Sequence, residues 1–216
     1  MGCAHRSFLP LARRLGAVAR VATIDLPGLG GTLGPRSALD ARGLSSAPAD
    51  WLRRTGREGA VLVVSSAGCQ VVADLASHTG GLLGPVVFLG PTVDRSARSA
   101  IRQLRRLLLD IPRERLSLIP LVAADYLRCG PRRIAGTARC LLADDVEHKP
   151  HHLRTATVVI RGERDPLVPR AWAREVAAPL PRGRLVELCG AGHAVHHGAP
   201  EAVALLVRAL FPGARA

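Results

Sequence analysis

The stretch VLVVSSAGCQVVADLA, residues 61–76, decides how this chain is read. It opens with an unbroken aliphatic, largely β-branched run, the signature of a strand buried on both faces of a parallel sheet. It closes with Val71, Val72 and Leu75 at helical spacing, so a helix is predicted over residues 67–78. Between the two lie Ser65, Ser66, Ala67 and Gly68, whose small side chains permit a sharp strand-to-helix turn. Two readings of that turn are open. A serine there can simply cap the helix, a role serine favours. Alternatively, Val64-Ser65-Ser66-Ala67-Gly68 is the G-x-S-x-G pattern with valine in place of the first glycine, and in that pattern a strained backbone lifts the serine hydroxyl clear of its neighbours. The helix after the turn points its N-terminal N–H groups and positive dipole end at the same spot, where a developing oxyanion would be stabilised.

Outward from this turn, short apolar runs alternate with helix-like segments, the pattern of βαβ units. Strands are predicted at residues 20–26, 60–64, 86–89, 156–161 and 184–188, and helices at 7–15, 47–57, 67–78, 170–178 and 200–210. Residues 95–153 break the alternation, because IRQLRRLLLDIP, LSLIPLVAADYL and IAGTARCLLADD read as successive helices with no strand between them. The expected organisation is an α/β core over residues 1–94 and 154–216, with a helical cap inserted over 95–153. The core is a mostly parallel sheet of about five strands flanked by helices.

With 216 residues and 48% hydrophobic content, the chain can bury one sizeable core. A formal charge of +13 invites a nucleic-acid partner. The arginines are dispersed, however, Lys149 is the only lysine, and aromatics at 3% offer no stacking platform for single strands. No run approaches the roughly 18 apolar residues of a spanning helix. Cys3, Cys69, Cys129, Cys140 and Cys189 are odd in number and show no CxxC pairing, as in a reducing cytosol. These features predict a cytoplasmic protein that meets a small-molecule substrate and neither nucleic acid nor membrane; they leave its oligomeric state open.

Two later stretches bear on the serine. RGERDPLVP, residues 161–169, presents Asp165 after a predicted strand, and LCGAGHAVHHGAPE, residues 188–201, presents His193 in a glycine-lined turn after the next. Serine, acid and histidine in that order, each at the carboxyl end of a parallel strand, follow the order of a hydrolase triad at the sheet edge where sites form. Together, VATIDLPGLGGT, VVSSAGCQVV, RGERDPLVP and GAGHAVHHGAPEAV resemble the α/β-hydrolase superfamily over nearly the whole chain. The likeness is greatest to bacterial members related to esterases and to carbon–carbon bond hydrolases with a helical cap.

The resemblance implies Ser66 as nucleophile, His193 as its general base and later acid, and Asp165 as the group orienting the imidazole, with the Ala67 N–H and Met1 at the oxyanion position. Alternatives stay open. Ser65 as nucleophile would put Ala67 where the glycine belongs. Asp94, in LGPTVD, is another position where some members carry the acid. His196 and His197 are bases that do not follow the GAG turn, and Cys69 reads as packing. Members of the family normally begin with a pair of strands and then a central strand ending in His-Gly. MGCAHRSFLPLARRL resembles only the segment just after that His-Gly, so the strand expected between residues 20–26 and 60–64 has no counterpart. A longer natural protein that is a working enzyme is expected, with a degraded relative as the alternative.

The expected activity is a cofactor-independent serine hydrolase acting on a small, mostly apolar ester. A carbon–carbon bond hydrolase of a diketone acid, its carboxylate read by cap arginines, is the runner-up; a binding protein that keeps the fold without turnover is the third reading. Metal and dinucleotide sites are not expected. Pro150 interrupts the helix that would align His148 with His152 beside Glu147 and His151, and in GLGGTLG, residues 28–34, Leu33 replaces the last glycine of a dinucleotide loop.

Overall fold

The computed structural model describes residues 4–211. A 3₁₀ turn at His5–Phe8 runs into α1 (Leu9–Gly16), followed by α2 (Ala41–Arg54), β1 (Leu62–Ser65), α3 (Ala67–Thr79) and β2 (Val86–Leu89). Next come α4 (Ala100–Asp110), α5 (Ile119–Cys129) and α6 (Pro131–Leu142), with no strand among them before β3 (Thr157–Gly162). The chain continues through α7 (Arg170–Ala177), β4 (Gly183–Leu188), α8 (Val195–Gly198) and α9 (Pro200–Arg208). No helix among the described residues is long and apolar enough to cross a membrane.

The sheet is parallel throughout, in the order β1-β2-β3-β4. Parallel neighbours cannot be joined by tight hairpins, so every connection carries at least one helix. Alternate residues of each strand serve opposite faces. Val86, Phe88 and Val159 pack with Val72 and Ala73 of α3 and with Trp172 and Val176 of α7. Val87, Leu89, Val158 and Ile160 pack on the other face with Leu11 and Leu15 of α1 and with Val203 and Val207 of α9. Burial on both faces is the physical reason these strands read as unbroken apolar runs. Helix α2 stacks outside α3 through Ala49, Leu52 and Leu75. It starts earlier than its apolar spacing predicts, because the Asp40 carboxylate caps it by accepting the Gly43 N–H at 2.7 Å.

The sheet differs from expectation in one strand. Residues 20–26 form no ladder, and residues 20–24 make no backbone–backbone hydrogen bond among the described residues, so the described sheet has four strands. Apolar composition supports a strand only where a neighbouring backbone lies within reach. Here both this segment and β1 line a cavity of about 980 Å³, to which Ala22, Ile24, Val61 and Val63 contribute.

Candidate active site

Ser66 comes directly after β1 and is the one described non-glycine residue with a positive φ, at φ 54° and ψ −124°. Side-chain-bearing residues avoid this region unless their surroundings impose it. Two neighbours do so: the Ser66 N–H donates to the Leu89 carbonyl of β2 at 2.8 Å, and α3 begins at the next residue. The Ser66 side chain makes no capping hydrogen bond to α3, so the capping reading of this serine fails. Its Oγ lies instead 3.2 Å from Thr92 Oγ1. Ala67, first residue of α3, belongs to the turn whose N–H groups have no partner within a helix.

Asp165 stands in the loop after β3. Its Oδ1 accepts the Leu167 and Val168 N–H groups at 2.8 and 3.1 Å, and its Oδ2 is 2.8 Å from His193 Nδ1. Buried Arg161 braces this loop: its guanidinium donates to the carbonyls of Val168 and Asp165 and pairs with Glu187. Gly90, after β2, lines the other side of the imidazole. With φ at +54°, a Cβ there would stand 2.8 Å from His193 Cε1 and 3.2 Å from Asp165 Oδ2, so only glycine leaves room for the ring. Burial works against a charged imidazole, but the Asp165 carboxylate, its hydrogen bond and Asp110 outweigh it, and the His193 pKa lies above the usual histidine value. His193 Nε2 has no hydrogen-bond partner among the described residues, while His193 and Ser66 line the same cavity. The structure thus brings Asp165 and His193 together and sets Ser66 on a cavity that His193 also lines, with the serine hydroxyl beside Thr92.

The model of the alpha/beta hydrolase family matches residues 1–205. The chain belongs to the alpha/beta hydrolase family. Its enzyme class is accordingly that of a hydrolase. Similar solved structures include an esterase from Thermogutta terrifontis, at 19% identity and TM-score 0.80, covering 95% of this chain and 84% of that one. E-2-(acetamidomethylene)succinate hydrolase is similar at 21% identity and TM-score 0.81, covering 97% and 88%. The enol-lactonase from Burkholderia xenovorans is similar at 18% identity and TM-score 0.80, covering 95% and 86%. No curated protein sequence matches the chain.

The other residues weighed in this alpha/beta hydrolase are engaged elsewhere. The Asp94 carboxylate is taken by the Ser96 N–H and hydroxyl and by Arg106, each at 2.8 Å; burial raises its pKa, but these partners bring it below the usual range. Fully buried His196 stacks on Phe8, its pKa pushed down to about 3 by burial and then by the neighbouring His193 and His197. His197 bonds to Ser117 Oγ and Ser7 O. Cys69 is buried, and burial pushes its thiol pKa up. Glu147 pairs with Arg98, and no cluster of three or more His, Cys, Asp or Glu able to hold a metal ion stands among the described residues. The GLGGTLG loop wraps a carboxylate: Gly31 N–H donates to Asp25 Oδ2 at 2.9 Å, and a Cβ on Gly30 would run into the same Asp25 group. Met1 lies outside the described residues.

Sequence reasoning missed Thr92, Gly90, Arg161 and, on the cap, Asp110 and Glu114. A glycine ending the strand VVFL was a visible signal for Gly90. The others carry no local pattern and become relevant only through contacts distant in sequence.

Proposed function

We propose that this hydrolase cleaves a small, mostly apolar carboxylic ester through Ser66, His193 and Asp165, in a reducing cytoplasm consistent with the free Cys69, Cys129, Cys140 and Cys189. The observation that carries the reading is the left-handed backbone of Ser66 at the head of α3, with a side chain that caps nothing. Ester binding draws the Ser66 hydroxyl from Thr92 toward the imidazole. His193, its Nδ1 side held by Asp165, takes the hydroxyl proton at Nε2 as Ser66 Oγ bonds to the ester carbon. The resulting oxyanion meets the Ala67 N–H and the positive end of α3. Collapse breaks the bond to the leaving alcohol, which receives the proton from His193 and leaves an acyl-serine. Water, deprotonated by the same imidazole, then releases the acid and restores Ser66.

The cavity supports the substrate class. The cap walls it with Leu107, Leu118, Ile119 and Val122, and the charged cap groups on it are Asp110 and Glu114. No cap arginine lines it, so the cap-borne cation expected to read the carboxylate of a diketone acid is not supplied there; the arginines on the cavity are Arg20 and Arg57 of the core. An esterase and an enol-lactonase stand among the similar structures. A fluorophosphonate probe should label Ser66, as read by peptide mass, and Ser66→Ala should lose both the label and turnover of short-chain aryl esters. Turnover surviving that substitution, or no label on folded protein, overturns the reading.

A further inference from the structure

The geometry points to Asp110 and Glu114, at the end of α4 and just after it, as positioning residues that clamp the His193 loop to the cap. This rests on the proposed role of His193 as the base. Asp110 Oδ1 accepts the His193 N–H at 3.3 Å, and Glu114 Oε1 accepts the Ala194 N–H at 2.7 Å. These two successive amides lie where the chain leaves β4 and enters α8, a helix too short to anchor the loop by itself. The preceding residue is pressed as closely: a Cβ on Gly192 would stand 2.7 Å from Glu114 Oε1 and 3.0 Å from the Arg113 carbonyl. The cap therefore holds two consecutive amides of the loop and lies close against the residue before them, where a Cβ would crowd Glu114 and the Arg113 carbonyl.

The charges make a purely structural clamp an odd choice. Neither Asp110 nor Glu114 forms an ion pair among the described residues, although arginines are plentiful: Arg106 is spent on Asp94, and Arg113 turns back to the Leu109 carbonyl. A buried carboxylate without a cation, as at Asp110, is costly, and an amide or hydroxyl acceptor would hold the same N–H more cheaply. Asp110 is 4% exposed and is faced by Glu114, Asp165 and His193. Burial, then Glu114 and Asp165, push its pKa up to about 7, while His193 pulls against them. The imidazole is the one cationic group in this set, and the Asp110 charge in turn favours its protonated form. The pair thus does two things for the base: it fixes the loop within the fraction of an ångström that proton transfer tolerates, and Asp110 raises the proton affinity of the ring.

The test separates the two roles, using the whole chain. Asp110→Asn keeps an acceptor and removes the charge. By NMR titration of the His193 ring, its midpoint should fall by about half a unit or more, and the acid limb of kcat/KM should move to lower pH with it. An unmoved midpoint overturns the electrostatic role. Glu114→Ala should lower kcat on an aryl ester about tenfold or more with little change in KM, and Glu114→Gln should restore most of it. Unchanged kcat in Glu114→Ala, or equal loss in both variants, overturns the clamp. Should Glu114→Ala fail to fold, the near-isosteric Glu114→Gln and Asp110→Asn still decide, because a clamp predicts near-normal kcat in the first and a shifted midpoint in the second. The midpoint needs no turnover, so a shift seen in a protein that hydrolyses nothing would uphold this inference while sinking the reading of Ser66.

Discussion

The proposed acid–base pair and the proposed nucleophile rest on unequal foundations. Asp165 hangs from β3, a strand with a partner on each side and every residue buried, and its loop is held by two backbone N–H groups and by Arg161. Ser66 hangs from β1, which among the described residues pairs only with β2 and whose residues are all only partly buried. The Leu62 and Ser66 N–H groups donate to the carbonyls of Pro85, just before β2, and Leu89, so by strand alternation those of Val63 and Ser65, which line the cavity, turn away from β2. The difference teaches where preorganisation resides. The imidazole is held from several directions, whereas the serine has one strained backbone position and a hydroxyl that rests on Thr92.

The largest effect that would sharpen this contrast is on the rigid side. Asp165→Asn keeps the shape but offers an amide to Nδ1, favouring the wrong tautomer, and kcat should fall by roughly 10⁴-fold. In the unmodified enzyme, kcat/KM should drop as pH falls through the elevated His193 pKa, because the protonated ring cannot accept the serine proton. A pH profile flat across the histidine range would break the assignment. Next come two truncations of the sheet. Phe88→Ala in fully buried β2 should cost about 3–5 kcal/mol in denaturant unfolding, whereas Val63→Ala in β1 should cost less than half of that. Equal costs would show that the β1 edge is held as firmly as the centre. Amide exchange offers a gentler version, with Val63 and Ser65 exchanging well before Val87. The smallest effect is at Thr92. Thr92→Val frees the Ser66 hydroxyl from a hydrogen bond worth about 1 kcal/mol, so kcat should rise severalfold at unchanged KM. A fall in kcat would mean that Thr92 orients the serine for reaction.

The tight turn at Ser66 was legible because an apolar run empties there into small residues. The meeting of Asp165 with His193 was legible because both come after strands whose parallel pairing brings their ends to one edge. Which of Asp165 and Asp94 lies beside the imidazole was not, since both come after strands; Arg106 and Ser96 hold the Asp94 carboxylate, and His193 bonds to that of Asp165. Residues 20–26 misled for the same reason in reverse, their composition fitting a strand that has no neighbour to bond.

Short-range periodicity and residue size encode what the sequence by itself determined: the alternation of strands and helices, the tight turn at Ser66, and the order of serine, acid and histidine. Only the tertiary structure decided which groups meet. The Asp110 and Glu114 carboxylates reach the His193 loop across 83 and 80 residues, and the hydroxyl beside Ser66 belongs to Thr92. Hydrogen bonds act over about 3 Å whatever the chain length between their partners, so a linear pattern carries no trace of them until the fold has brought those partners together.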